Sequence, residues 1–232
     1  MNKISTPCIT CNVKACSLIN SLDKSLLPII SQYKLQFQFK KGEVIFTQGE
    51  PVSGVYFIQS GVVKQELTGI KGKPLILRLC GQGKMMGHRS ISSKARHPYT
   101  ATAVEDCRIC FMDLEFFRNL LRRSEPLQKE INSVYLNEIR QNEERLLQIA
   151  HLNVKEKVAE ILVHLAEAYN YREGGPAIRV HVNRQDMANF AGTTKEQVSK
   201  IIAQFSNEQL VRCRAKQFQF FNIEGLKKIA AA

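Results

Sequence analysis

Glycine separates this sequence into two regions that require different kinds of structure. Gly42, Gly49, Gly54 and Gly61 recur at intervals of five to seven residues among short apolar stretches, whereas residues 113–151 contain no glycine. Recurrent glycine disfavours a helix and marks turns between strands, and the apolar and polar residues between these glycines alternate as in half-buried strands. We therefore predict a rolled or sandwiched β-domain that is followed by a helical region.

The glycine-free region has the period of one long helix. Beyond Pro126 its apolar residues follow three- and four-residue steps: Leu127, Ile131, Val134, Leu136, Ile139, Leu146 and Ala150. One small domain cannot bury all of these positions, so we expect part of the helix to form a coiled-coil-like seam with a second copy of the chain. Polar Asn142 and Glu143 interrupt this seam, as register-setting residues do. The alternative is a helix that packs only on its own domain.

Two short helices joined by a tight turn are predicted in the stretch "NRQDMANFAGTTKEQVSKIIAQFSNEQLV", residues 183–211. Asn183 can cap the first helix and Gly192 can supply the turn. Thr193 and Thr194 each begin a capping-box pattern that opens the second helix. The pattern is typical of a helix-turn-helix, in which the first residues of the second helix reach base edges in the major groove of DNA.

The candidate DNA contacts are polar and basic side chains. Those of the second helix are Thr194, Lys195, Glu196, Ser199 and Lys200. Lys can donate to guanine, Glu can accept from cytosine, and Ser can bind a base or a phosphate. Two strands predicted after this helix form a wing whose candidate phosphate contacts are Arg212, Arg214 and Lys216. The alternative is a structural helical hairpin with solvated charges.

The net charge of +12 favours a polyanionic partner, but it is spread along the chain, so the DNA hypothesis rests on the motif.

Three of the seven cysteines, Cys8, Cys11 and Cys16, lie within nine residues of one another. The sequence shows neither a secretory leader nor a membrane-spanning apolar segment, so we expect a cytoplasmic protein in which thiols stay reduced. The odd number of cysteines also argues against a disulfide framework, and clustered thiols in that compartment more often bind metal or sense redox state.

We expect no enzymatic activity, because the β-region offers only His88 and His97 and the chain has no nucleophile motif or phosphate loop.

The order of these parts resembles the Crp/Fnr family of dimeric transcription regulators over nearly the whole chain. The stretch "KKGEVIFTQGEPVSGVYFIQSGVVK" is similar to the β-roll signature of that family, and "RQDMANFAGTTKEQVSKIIAQF" is similar to its DNA-binding signature. The resemblance implies an α+β protein with an N-terminal β-roll (a jelly roll like that of cyclic-nucleotide-binding domains), a long dimerisation helix and a C-terminal winged helix-turn-helix. It divides the chain into an arm at residues 1–20, a sensor roll at 21–124, a dimerisation helix at 125–150 and a DNA-binding domain at 151–232.

The resemblance also implies the partners. A homodimer would bind a pseudo-palindromic site in double-stranded DNA and contact RNA polymerase, with no membrane involved. The base-reading positions of the family fall on Glu196, Ser199 and Lys200. Lys200 stands where the family usually has arginine, and lysine lacks the planar fork that binds guanine bidentately, so we expect a different operator preference.

The β-roll departs from the branch of the family that binds cyclic AMP. Where that branch binds phosphate and ribose, this chain reads "GH" and "PY". Because Arg89 or Arg96 could substitute as the phosphate-binding cation, a cyclic nucleotide or another small ligand in the roll is the alternative signal.

The stretch "RHPYTATAVE" resembles instead the oxygen-sensing Fnr branch, which holds a [4Fe–4S] cluster with four cysteine thiolates. Carried over to this chain, the ligands are Cys8, Cys11, Cys16 and Cys110. Cys107 is an alternate for Cys110, but strand alternation puts these two on opposite faces, so only one can point toward the arm. Four residues separate Cys11 from Cys16, where the best-known members have five.

Other roles for the cysteines stay open. They could bind structural zinc, form a reversible Cys8–Cys11 disulfide, or have no role in a disordered arm. Cys80 and Cys213 are expected to be small core residues. Finally, His88 and His97 could ligate haem, although lone loop histidines are expected to be exposed to solvent.

Overall fold

The computed structural model describes residues 6–11, 13, 17–69, 72, 74–91 and 96–231. Its helices are α1 (Ser17–Asn20), α2 (Leu27–Tyr33), α3 (Leu114–Arg123), α4 (Glu125–His151), α5 (Val154–Ala168), α6 (Arg184–Ala191), α7 (Lys195–Asn207) and α8 (Ile223–Ala230). Its strands are β1 (Leu35–Phe39), β2 (Val44–Phe46), β3 (Gly54–Ser60), β4 (Val63–Thr68), β5 (Pro74–Cys80), β6 (Met85–Met86), β7 (Thr100–Ala103), β8 (Cys107–Asp113), β9 (Ile178–Arg179), β10 (Val211–Arg214) and β11 (Gln217–Phe220).

The contacts within the chain define two compact units. The first comprises residues up to Val63 together with Cys80–Gln141, and the second comprises Lys64–Leu79 and the residues from Asn142 onward. The predicted fold class, which is a β-domain followed by a long helix and a helix-turn-helix with a wing, is confirmed.

The first unit is built around an antiparallel sheet with the strand order β1-β8-β3-β6. Strand β8 lies inside this sheet, where Cys110 is paired with Gln36 of β1 on one side and with Phe57 of β3 on the other. Strands β2 and β7 of the same unit also pair with each other. Glycine is required in β3, because a Cβ atom on Gly54 would lie 2.2 Å from the carbonyl oxygen of Met112.

One hydrophobic core joins the N-terminal arm, the sheet and helices α3 and α4 of the first unit. Its buried members include Cys8 and Leu18 of the arm and Leu22 just after it, together with Phe57 of β3 and Leu127 and Ile131 of α4. Because the arm contributes Cys8 and Leu18 to the same core as α4, its position is fixed by burial of apolar surface.

The second unit contains the β4–β5 pair, the helix-turn-helix and a three-stranded sheet with the order β10-β11-β9. Helix α5 begins with the predicted capping box, in which Asn153 and Glu156 satisfy each other's backbone N–H groups. Its apolar side is buried against α6, α7 and α8.

A buried ion pair lies inside the second unit. The Arg145 guanidinium on α4 is 2.7 Å from the carboxylate of Glu160 on α5, also donates to the carbonyl oxygen of Phe190 on α6, and lies 4.1 Å from the centre of the Phe190 ring. Glu160 is also 3.5 Å from His164, whose other ring nitrogen is 3.6 Å from Glu167. Burial by itself lowers the pKa of His164, but the hydrogen bonds and negative charges of the two glutamates outweigh it and raise the pKa to about 9.

Candidate nucleic-acid interface and cysteine cavity

The helix-turn-helix is organised by three local features that the sequence predicts. The side chain of Asn183 caps α6 by accepting from the N–H of Asp186, and Gly192 ends α6 in the left-handed conformation with φ of 63°. Thr194 then caps α7 by accepting from the N–H of Gln197. These caps satisfy backbone donors that neither helix can satisfy internally.

Helix α7 buries one side and exposes the other. Val198, Ile202 and Phe205 are buried and hold the helix on its unit. The five predicted DNA contacts on this helix and its cap are all exposed: Thr194, Lys195, Glu196, Ser199 and Lys200. An exposed polar face at the start of a second helix is what major-groove readout requires.

The predicted wing is a hairpin of β10 and β11. Ala215, with φ of 54°, and Lys216 form its turn. Arg212, Arg214 and Lys216 are exposed, so they are available to phosphates of a duplex. Cys213 between the two arginines is half-buried and accepts a hydrogen bond from Arg184 at 3.0 Å.

The clustered cysteines lie around a cavity of the first unit. Cys8, Cys11 and Cys110 line this cavity, which has a volume of about 350 Å³. Both Cys8 and Cys110 are buried. Cys16, the remaining predicted ligand, lies outside the described residues. The fold thus brings a thiol from β8 together with two thiols from the arm. At least 99 residues of sequence separate Cys110 from either arm cysteine.

The arm is attached to the sheet and to α2 by hydrogen bonds. The N–H of Thr6 donates to the side-chain oxygen of Gln36 at 3.1 Å, and the N–H of Cys8 donates to the hydroxyl of Ser31 at 2.8 Å. The ammonium of Lys34 donates to the carbonyl oxygen of Thr6. These contacts hold the arm at Thr6 and Cys8.

Cys107 points away from this cavity. Its sulfur lies 3.4 Å from the carbonyl oxygen of Val62 and 3.2 Å from that of Glu105, and burial raises the pKa of its thiol to about 11. Burial also raises the pKa of Cys110, but the positive charge of Lys34 works against that rise. The structure therefore brings Cys110, and not its alternate, together with Cys8 and Cys11.

The donor set of the cavity consists of thiols, which are the ligands that an iron–sulfur cluster takes. Among the described residues, no group of three or more His, Cys, Asp or Glu side chains is arranged to hold a single ion. A [4Fe–4S] cluster takes one thiolate at each iron, so its ligands surround a volume and do not converge on one point. Three thiols around a cavity, with a fourth nearby in sequence, match that requirement.

The interior of the β-domain is occupied by aromatic rings. The rings of Phe46 and His97 stack with centroids 3.9 Å apart, and Tyr99 and Tyr56 lie 5.5 and 5.2 Å from Phe46. The two candidate phosphate-binding arginines have protein partners. The Arg89 side chain donates to Glu138 at 2.7 Å, and the exposed Arg96 donates to the carbonyl oxygen of Gly49 at 2.7 Å.

The expectation that both loop histidines are exposed is wrong. His88 is 0% exposed and His97 is 3% exposed. His97 is buried by stacking on Phe46, and His88 lies 3.2 Å from Glu138 of α4 and against the ring of Tyr135.

Helix α4 changes character along its length. Leu127 and Ile131 near its start are buried in the core of the first unit. Further along, large apolar side chains are exposed: Leu136 (68%), Ile139 (54%), Leu146 (68%) and Leu147 (61%). Within the described part of the chain, no helix combines the length and apolar character needed to cross a membrane.

Comparisons with known proteins identify two family matches in separate parts of the chain. A cyclic nucleotide-binding domain family matches residues 36–124, and a Crp-like helix-turn-helix domain family matches residues 156–229. The chain is 24% identical to the fumarate and nitrate reduction regulatory protein of Vibrio cholerae, covering 96% of this chain and 90% of that protein. It is 27% identical to a CRP-like cAMP-activated global transcriptional regulator of Mycobacterium tuberculosis, covering 92% of each. Among solved structures, FixK2 of Bradyrhizobium japonicum has a TM-score of 0.77 at 21% identity, covering 86% of this chain and 98% of FixK2.

Proposed function

Because the chain belongs to the Crp/Fnr family of transcription regulators, and is therefore a DNA-binding protein rather than an enzyme, we propose that its signal is redox state, sensed by a [4Fe–4S] cluster in the cysteine cavity. The observation that carries this proposal is the placement of Cys8, Cys11 and Cys110 around one cavity, which agrees with the ligand set implied by the resemblance. The similarity to a fumarate and nitrate reduction regulator also supports it.

The proposed ligands are Cys8, Cys11, Cys16 and Cys110. When bound, the cluster supplies sensitivity to oxidation. Thiolates from the arm and from β8 on the same cluster would fasten the arm to the central sheet. Since Cys8 and Leu18 of the arm share a core with the first turns of α4, fastening the arm also stabilises the position of that helix.

We propose that α4 pairs with its counterpart in a second copy of the chain. Leu136, Ile139, Glu143, Leu146 and Ala150 follow three- and four-residue steps, and the three large apolar members are exposed. Exposed leucine and isoleucine at this spacing are typical of a coiled-coil seam. The dimer would place two α7 helices in successive major grooves of a pseudo-palindromic site.

The DNA contacts proposed for α7 and its cap are Thr194, Lys195, Glu196, Ser199 and Lys200, and those proposed for the wing are Arg212, Arg214 and Lys216. Contact with RNA polymerase in the cytoplasm belongs to the same proposal. The division into an arm, a sensor roll, a dimerisation helix and a DNA-binding domain at residues 1–20, 21–124, 125–150 and 151–232 also stays a proposal.

A cyclic nucleotide in the roll is less well supported by the side chains present. A buried phosphodiester needs a cation and backbone donors. Arg89 is held by Glu138, while Arg96 is exposed and donates to a backbone carbonyl oxygen. Calorimetric titration of the full chain with cyclic AMP distinguishes a cyclic-nucleotide signal from the cluster signal. We expect no saturable binding of cyclic AMP.

Metal analysis after anaerobic purification tests the cluster proposal. We expect about four irons and equivalent acid-labile sulfide per chain, a brown colour that bleaches in air, and no zinc. Cys110→Ala should lose the cluster, whereas the matched variant Cys107→Ala should keep it, because that sulfur points away from the cavity. A colourless wild-type protein, or equal loss of iron in both variants, would contradict the proposal.

A further inference from the structure

Lys34 is a buried lysine without a carboxylate partner. Lys34 directly follows α2 and is 5% exposed. Its ammonium donates a hydrogen bond to the carbonyl oxygen of Thr6. All 21 Asp and Glu residues belong to the described part of the chain, and none of them lies within ion-pair distance of Lys34. A buried ammonium is costly unless an opposite charge compensates it.

Three thiols share a cavity with Lys34, together with apolar side chains and the amides of Asn20 and Gln59. Lys34 lines the same cavity as Cys8, Cys11 and Cys110. Lys24 lines this cavity as well, but its side chain is exposed, so solvent screens its charge. The buried lysine is therefore placed to compensate negative charge that arises on the cysteine sulfurs.

Lys34 also holds the arm. The backbone of Thr6 is bound at both polar atoms: its N–H donates to Gln36 and its carbonyl oxygen accepts from Lys34. The amide nitrogen of the same Gln36 side chain lies 3.7 Å from the sulfur of Cys110. Two side chains thus connect the arm backbone to the thiol wall of the cavity.

We infer, resting on the proposed cluster, that Lys34 is a positioning residue that acts as counter-cation to the thiolate-bound anion in this cavity and makes docking of the arm depend on that negative charge. With the anion present, the ammonium is compensated and the arm is held at Thr6. Without it, the desolvated ammonium disfavours the docked arm. The charge of Lys34 thus couples the arm to the occupant of the cavity, in addition to the coupling that ligation by the arm cysteines provides.

Three variants of the full-length chain test this inference. Lys34→Met removes the charge at similar length, Lys34→Arg keeps it, and Lys24→Met removes an exposed charge at the same cavity. In the reduced, metal-free protein we expect Lys34→Met to raise Tm by about 2–4 °C, since it removes an uncompensated buried charge, and Lys24→Met to leave Tm unchanged.

The reconstituted protein should show the opposite sign. We expect Lys34→Met to lose iron to a chelator about ten-fold faster and to shift the cluster's reduction midpoint to more negative potential, while Lys34→Arg keeps the wild-type potential. A Tm that falls in the metal-free Lys34→Met protein, or a potential that does not change, would overturn the inference, because either result indicates a merely structural lysine.

Failure of the proposed function can be recognised separately. If the wild-type chain takes up no iron, the cluster proposal fails while the metal-free comparison still decides the role of Lys34. In that case the Tm gain of Lys34→Met should disappear when Zn²⁺ is added, because a zinc–thiolate complex also supplies the negative charge. A gain that persists with Zn²⁺, or no gain at all, would overturn the inference.

Discussion

Replacing Arg145 by leucine should strongly destabilise the DNA-binding unit. The guanidinium joins three helices, through an ion pair to Glu160, a hydrogen bond to the Phe190 carbonyl oxygen and a cation–π contact with the Phe190 ring. Glu160 is 3% exposed, so among the described residues the leucine variant leaves a buried carboxylate whose remaining cationic neighbour is His164, 3.5 Å away.

The expected loss can be estimated from this burial. Removing one partner of a buried ion pair costs about 3–5 kcal/mol, mainly because the other charge stays buried without that partner, and we expect about 3 kcal/mol here because protonated His164 stays beside Glu160. Removing both partners avoids this penalty, so the double variant Arg145→Leu/Glu160→Leu should recover most of the loss. Urea unfolding followed by circular dichroism measures the free energy of unfolding of the wild type, the two single variants and the double variant.

The four free energies of unfolding test whether Arg145 and Glu160 act as one buried pair. Arg145→Leu should be less stable than the wild type, and the double variant should be more stable than Arg145→Leu alone. If the single variant loses less than about 1 kcal/mol, as at an exposed ion pair, or if the losses simply add, the pair is not the buried junction described above.

The remaining predictions concern pH, dimerisation, base readout and packing. The glutamates beside His164 raise its pKa to about 9 in the folded protein, from an ordinary 6.5. Its stabilising contribution is therefore complete below about pH 6.5 and is lost as pH rises through 9. His164→Gln should flatten the dependence of the unfolding free energy on pH between these values. Replacing Leu136 and Ile139 by aspartate should convert a dimer into monomers, which sedimentation velocity detects. Lys200→Arg should change the preferred base at one operator position, as selection from random duplexes would reveal. Gly54→Ala should cost about 1–3 kcal/mol in thermal unfolding, since the new Cβ would meet the backbone of β8.

Local signals explain why the helix-turn-helix could be predicted from sequence. Asn183, Gly192 and Thr194 act on residues only a few positions away, so caps and turn are visible without tertiary information. Strand alternation likewise separates Cys107 from Cys110, and the structure places only Cys110 at the cavity with the arm cysteines.

Burial of polar side chains could not be predicted in the same way. His88 and His97 look like loop residues, but ring stacking and contacts with α4 remove them from solvent. Lys34 looks like a solvated charge at a helix end, and only the docked arm shows that it is enclosed. In these cases the deciding partners are distant in sequence, so composition and periodicity carry no signal.

DNA affinity measured with and without the cluster tests the central claim most directly. A fluorescent duplex selected from a random library with anaerobic protein would be titrated with the same preparation before and after controlled exposure to air, with iron content measured in parallel. We expect tight binding by the iron-loaded dimer and a large loss of affinity as iron and sulfide are released. Equal affinity in the two states would contradict the proposal that the cysteine cavity controls DNA binding.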